Sequence, residues 1–143
     1  MKRGPKIVVI GAGSLFFGRQ AIWQCCESEI LNNGILALAD TNAVNLARMR
    51  TLALNAVAHR KVPLKVEAST KAEELFKGAD FVVFSFADRS VKFRGIVCEV
   101  ALKYGIRMCS GDTIGPGGIF RTLREFPHIL KYCRSIEKLC PDA

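Results

Sequence analysis

The sequence has 143 residues, half of them apolar and about a quarter charged, and its 21 Lys and Arg against 13 Asp and Glu give a formal net charge of +8. That length suits one domain built around one core, the apolar content is too high for a disordered chain, and no run approaches the roughly 18 apolar residues that a membrane span needs. The basic residues are spread from Lys2 to Arg134 without an arginine-rich run or interleaved aromatics, a pattern that argues against a nucleic-acid partner and for a solvated surface or attraction of small anions.

Residues 6–10 read KIVVI, a continuous apolar run closed by Gly11, which predicts a strand buried on both faces. From Ser14 to Glu29, Leu15, Phe16, Ile22, Trp23 and Cys26 fall at near-helical spacing, and Asn32-Asn33-Gly34 supplies the stop. ILALA from Ile35 predicts a second strand ending at Asp40. Leu46, Met49, Leu52, Leu54, Ala56 and Val57 then mark a helix over residues 42–59, broken by Pro63 before a short strand over 64–68. Ser69 or Thr70 is the expected cap of a short helix, KAEELF, which Gly78 ends, and Asp80 reads as a turn residue. FVVFSF over 81–86 predicts the fourth strand, followed by a helix over 90–104, a short strand or turn over 106–109, and a helix over 118–139 that Pro127 should bend or divide.

Strands alternating with helices place the chain in the α/β class, as one Rossmann-like, doubly wound parallel sheet of strand order 3-2-1-4 spanning residues 1–143. The series stops before a fifth strand. The fourth would then be a bare apolar edge, so the sequence is expected to be the N-terminal portion of a larger protein; if the natural chain ends at Ala143, self-association through that edge is expected instead. A homo-oligomer is the expected assembly. The opening MKRGPKIVVIGAGS has too short an apolar run for a signal peptide, which points to the cytoplasm. The six cysteines accordingly read as reduced, packed thiols, and none forms a C-x-x-C pair suited to zinc.

Two stretches carry chemistry. Gly11-Ala12-Gly13-Ser14 lies between a predicted strand and a predicted helix, the context in which glycines allow a tight turn and a close approach of backbone to a pyrophosphate at a helix N-terminus. A strict G-x-G-x-x-G would place the third glycine at Phe16, whereas here Gly18 follows two residues later. Asp40, closing the second strand, suits the ribose hydroxyls and would repel a 2′-phosphate, favouring NAD over NADP; a helix cap is its other reading. The second stretch, Gly111-Asp112-Thr113-Ile114-Gly115-Pro116-Gly117-Gly118, is a rigid turn able to aim amides into a cleft, with Asp112 at its entrance.

With KIVVIGAGS, LALAD, GADFVV, KYGI and above all GDTIGPGGIFRTLREFP, the whole chain resembles glycoside hydrolase family 4, NAD- and metal-dependent glycosidases related in fold to lactate and malate dehydrogenases. This family departs from the two-carboxylate mechanism of most glycosidases. The resemblance implies oxidation of the sugar C3 hydroxyl by bound NAD, proton loss at C2, elimination and addition of water. A divalent metal, usually Mn2+, acts on the C2 and C3 oxygens as a Lewis acid, with its cysteine and histidine ligands and the catalytic tyrosine beyond residue 143.

Carried over residue by residue, the resemblance assigns Gly11, Ala12, Gly13, Ser14, Leu15 and Phe16 to the pyrophosphate, Asp40 to the ribose, and Phe86 and Ala87 to the flank of the cofactor. It places Asp112 near the sugar hydroxyls of a small-molecule glycoside and near the metal. The GDT form looks like that of members acting on unphosphorylated α-glucosides, α-galactosides or α-galacturonides, while Arg94 is either a 6-phosphate ligand or a solvent-facing helix residue. No catalytic residue or metal ligand is assigned within the chain; His59 and His128 read as helix residues. The competing functions are a 2-hydroxy acid dehydrogenase and a non-catalytic nucleotide-binding module.

Overall fold

The computed structural model describes residues 4–87, 90–108 and 115–143. They fall into two compact units, one of residues up to Phe86 together with Cys133–Ala143, the other of residues between Ala87 and Tyr132.

The first unit is built on four parallel strands, β1 (Lys6–Ile10), β2 (Ile35–Ala39), β3 (Lys65–Ser69) and β4 (Phe81–Phe84), in the expected order β3-β2-β1-β4. β1 is central, with Ile7 opposite both Leu36 and Phe81, and Val9 opposite both Leu38 and Val83. Helices α1 (Phe17–Glu27) and α2 (Ala43–Arg60) form the first two crossovers. Their Ile22, Cys25, Cys26, Leu46, Met49, Ala53 and Ala56 close a core against Val9, Leu36 and Leu38. A continuous apolar run is what a strand covered on both faces requires, and Val8, Leu36, Ala37 and Leu38 are fully buried.

Side chains set several of the boundaries. The regular span of α1 is Phe17–Glu27, and Ser14 caps its start as the sequence placed it: its hydroxyl accepts the Phe17 N–H at 3.2 Å and its carbonyl accepts the Gly18 N–H at 2.9 Å. Asn42 caps α2, its side-chain oxygen accepting the Asn45 N–H at 3.0 Å. The KAEELF segment forms only a 3-10 turn, Ala72–Leu75, without a side-chain cap. Ser69 Oγ instead accepts the Lys71 N–H and donates to Glu74. β4 ends at Phe84, two residues short of the predicted run. Asp80 does more than turn the chain: its carboxylate accepts the Lys6 N–H at 2.6 Å while its own N–H donates to the Lys6 carbonyl, which fixes the start of the β1–β4 pairing.

In the second unit, α3 (Ser90–Lys103) ends at Gly105, whose positive φ of 72° lets the Gly105 and Ile106 amides return to the Leu102 and Ala101 carbonyls. Residues 106–108 form no strand, and Cys109 lies outside the described residues. The last helix, α4 (Pro116–Leu139), contains Pro127 and is not divided by it, contrary to one of the expected outcomes. Within this unit the Arg124 guanidinium lies 4.4 Å from the centre of the Phe93 ring.

Candidate functional site

The turn after β1 is held by backbone bonds on two sides. The Gly11 and Ala12 N–H groups both donate to the Ala39 carbonyl, at 2.8 and 3.0 Å, and the Ser85 N–H donates to the Ile10 carbonyl at 2.8 Å. Gly11 has φ 90°, and a Cβ there would overlap the Ser85 carbonyl and stand 2.8 Å from the Phe86 Cβ. No other residue type fits this position without moving the exit of β4. The crevice between β1 and β4 is where the strand order reverses, the place at which open α/β sheets bind ligands.

Asp40 is fastened to the same turn. Its Oδ2 accepts the Gly13 N–H at 2.8 Å and its Oδ1 accepts the Asn42 N–H at 2.8 Å, so one carboxylate ties the glycine turn to the start of α2. The Asp40 carboxyl carbon would lie 2.8 Å from any Cβ at Gly13, so that glycine makes room for the acid as well as for an approaching anion. A carboxylate has about four acceptor positions, and these two bonds leave capacity for hydroxyl donors. Asp40 is not the cap of α2; Asn42 is.

Gly18 resolves the displaced third glycine. It is buried in α1, and a Cβ on it would overlap the Ala12 carbonyl oxygen and come within 3.1 Å of the Met49 terminal methyl. Close packing of helix against turn is the role of the last glycine in the dinucleotide fingerprint. In this chain that contact falls on Gly18, two residues past the strict motif position occupied by Phe16.

Leu15 and Phe16 are 75% and 60% exposed, which leaves their backbone, rather than their side chains, as the natural contact for an anion at this turn. The first turn of α1 carries no acidic residue that would oppose one. Phe86 is half-buried, its ring edge-on to Phe84 at 6.1 Å, and Ala87 is exposed. The structure thus brings together Gly11, Ala12, Gly13, Asp40 and Phe86, with Ser14, Leu15 and Phe16 following in the same turn. Arg94 is an exposed residue of α3 in the second unit, and Asp112 lies outside the described residues. Ser85, at the mouth of the same crevice, drew no attention in the sequence.

Among the described residues no group of three or more His, Cys, Asp or Glu is placed to hold a metal ion, and no helix is long and apolar enough to cross a membrane. The cysteines described are free thiols. Burial, aided by neighbouring Cys26, pushes the Cys25 thiol up to about 11, and burial likewise raises Cys26 and Cys140. These are packing residues with little thiolate at neutral pH.

A model of the family described as family 4 glycosyl hydrolase matches residues 6–143. An alpha-glucosidase of Erwinia rhapontici is 35% identical over 140 residues, covering 96% of this chain and 31% of the relative. An alpha-galactosidase of Rhizobium meliloti is 30% identical over 134 residues, covering 94% of this chain and 27% of the relative. The 6-phospho-beta glucosidase of Thermotoga maritima, solved with NAD and glucose-6-phosphate, superposes with a TM-score of 0.80 at 27% identity, covering 95% of this chain and 32% of that one. The chain therefore spans about a third of the length of the relatives it matches.

Proposed function

The chain belongs to the family 4 glycosyl hydrolases, and from that premise we propose that it is the NAD-binding N-terminal portion of a glycosidase that cleaves O-glycosyl bonds with NAD and a divalent metal, Mn2+. The observation that carries the cofactor assignment is the clasp of Asp40 on the Gly13 amide, beside a helix start free of acidic side chains. When bound, the nicotinamide supplies reversible oxidation at the sugar C3, which makes the C2 proton acidic enough for elimination of the glycosidic oxygen and addition of water.

The residues of this chain bind and orient. Gly11 and Gly13 keep the space above the turn clear, and the backbone of Ser14, Leu15 and Phe16 receives the diphosphate at the positive end of α1. Asp40, already oriented by two amides, accepts the ribose hydroxyls and repels a 2′-phosphate, which selects NAD. Phe86 and Ala87 flank the cofactor. Asp112 approaches the hydroxyls of the glycoside, and Arg94 either takes a 6-phosphate or serves as a solvated helix residue. The manganese ligands and the catalytic base belong, on this reading, to residues other than these 143.

A cytoplasmic location and a homo-oligomer complete the proposal, with no nucleic-acid or membrane partner. A 2-hydroxy acid dehydrogenase, which would generate NADH in proportion to turnover, is disfavoured by the family assignment. The test is release of aglycone from α-glycosides by the intact protein. Activity should disappear when either NAD or Mn2+ is removed; undiminished release without them overturns the reading.

A further inference from the structure

β3 is the outer strand of the sheet: β2 pairs with one of its edges, and among the described residues no strand pairs with the other. The Lys65 N–H donates to the Gly34 carbonyl at 3.0 Å, so by the alternation of a parallel ladder Lys65, Glu67 and Ser69 bond inward to β2 while the amides and carbonyls of Val66 and Ala68 point outward. An open groove of about 590 Å3 follows this edge from Val66 to Thr70, walled by the small Ala43 and Ala47 of α2 and by Leu75. An uncovered strand edge is a template for another strand, and charges placed on it ordinarily repel one.

The charges of β3 are arranged to accept a copy of the same strand. Lys65 and Glu67 share a face because side chains alternate. Glu67 is partly exposed, with its Oε2 2.9 Å from Lys6 Nζ, while Lys65 is exposed and without an ion-pair partner among the described residues. Two copies related by a two-fold axis can pair this edge antiparallel in only a few registers. Centred on Val66, the outward groups of Val66 bond those of Val66 in the copy, and each Lys65 stands opposite Glu67 of the copy at the closely spaced, non-hydrogen-bonded position. Centred on Glu67 the two carboxylates would meet, centred on Lys65 the two ammonium groups, and centred on Ala68 each Lys65 would meet Lys71. Only the first register sets opposite charges against each other.

We propose that the outer edge of β3 is a self-association surface, on which a second copy of this chain lays its own β3 antiparallel about Val66 and joins the two sheets into one. The inference rests on the homo-oligomer reading above and gives it a surface and a register.

The experiment uses the intact protein. Unlabelled and heavy-isotope-labelled wild type are mixed, allowed to exchange subunits and treated with a carbodiimide, which joins a lysine amine to a carboxylate in direct contact, and the Lys65–Glu67 peptides are sorted by mass. Sedimentation equilibrium then compares wild type, Lys65→Arg and Lys65→Glu. Mixed-isotope Lys65–Glu67 peptides should form, and Lys65→Glu should raise the dissociation constant about tenfold, because both attractive pairs become repulsive, while Lys65→Arg stays within about twofold of wild type. An oligomer that yields no mixed Lys65–Glu67 peptide, or whose dissociation Lys65→Glu leaves unchanged, overturns the inference and leaves the homo-oligomer standing. Wild type that is monomeric at every concentration overturns both readings.

Discussion

Val9 and Val83 stand opposite each other in the β1–β4 ladder, yet Val9 is 2% exposed and Val83 is 45% exposed. Ile7 and Val9 belong to the core closed by α1 and α2, while their register partners Phe81 and Val83 on β4 are exposed in this chain, which spans about a third of its relatives' length. In sequence KIVVI and FVVF carry the same signal, since an apolar run records the environment a strand is built for, two covered faces. The half of the sheet carrying the glycine turn closes its core within these residues, whereas the apolar run of β4 records cover that these residues alone do not supply.

Substitutions should expose that asymmetry, most sharply at the turn itself. Gly11→Ala forces an unfavourable φ and an overlap with the β4 exit, and should cost about 3 kcal/mol in denaturant unfolding and abolish NAD binding. In the 143-residue chain, Val9→Ala should cost about 2 kcal/mol, whereas Val83→Ala, its register partner, should cost under about 0.5 kcal/mol. Equal losses at the two valines of this chain would contradict the difference in their burial. Asp40→Asn keeps the shape but offers only one acceptor oxygen to two amides. It should cost about 1 kcal/mol and weaken NAD binding about tenfold.

The smallest effect concerns the thiols of the finished core. Cys25 is held neutral by burial in the fold and ionises more readily once unfolded, so its contribution is intact below about pH 9 and fades as pH rises toward about 11. Unfolding monitored across that window should show an alkaline loss of stability that is reduced in Cys25→Ala.

Legibility in the sequence followed the same division. The strand order, the two crossover helices, the glycine turn and Asp40 were readable because each depends on local patterns: apolar runs, helical spacing and a strand–turn–helix context. The start of α1 was readable too, since Ser14 accepts the Phe17 and Gly18 amides as a helix cap does. The packing glycine was not, because it stands two residues past the strict motif position, at Gly18. Pro127 could not be placed either, since a missing amide weakens a helix without dictating whether it ends. Ser85 was invisible because a lone serine after a strand has no motif; only its carbonyl beside Gly11 marks it.

The central claim is that the turn over residues 11–16 and Asp40 together form an NAD site. Its most direct test is a crystal structure of the intact protein grown with NAD. The diphosphate should lie against the backbone of Ser14, Leu15 and Phe16, with a ribose hydroxyl donating to Asp40. A dinucleotide bound elsewhere, or a turn left empty at saturating NAD, would contradict the account.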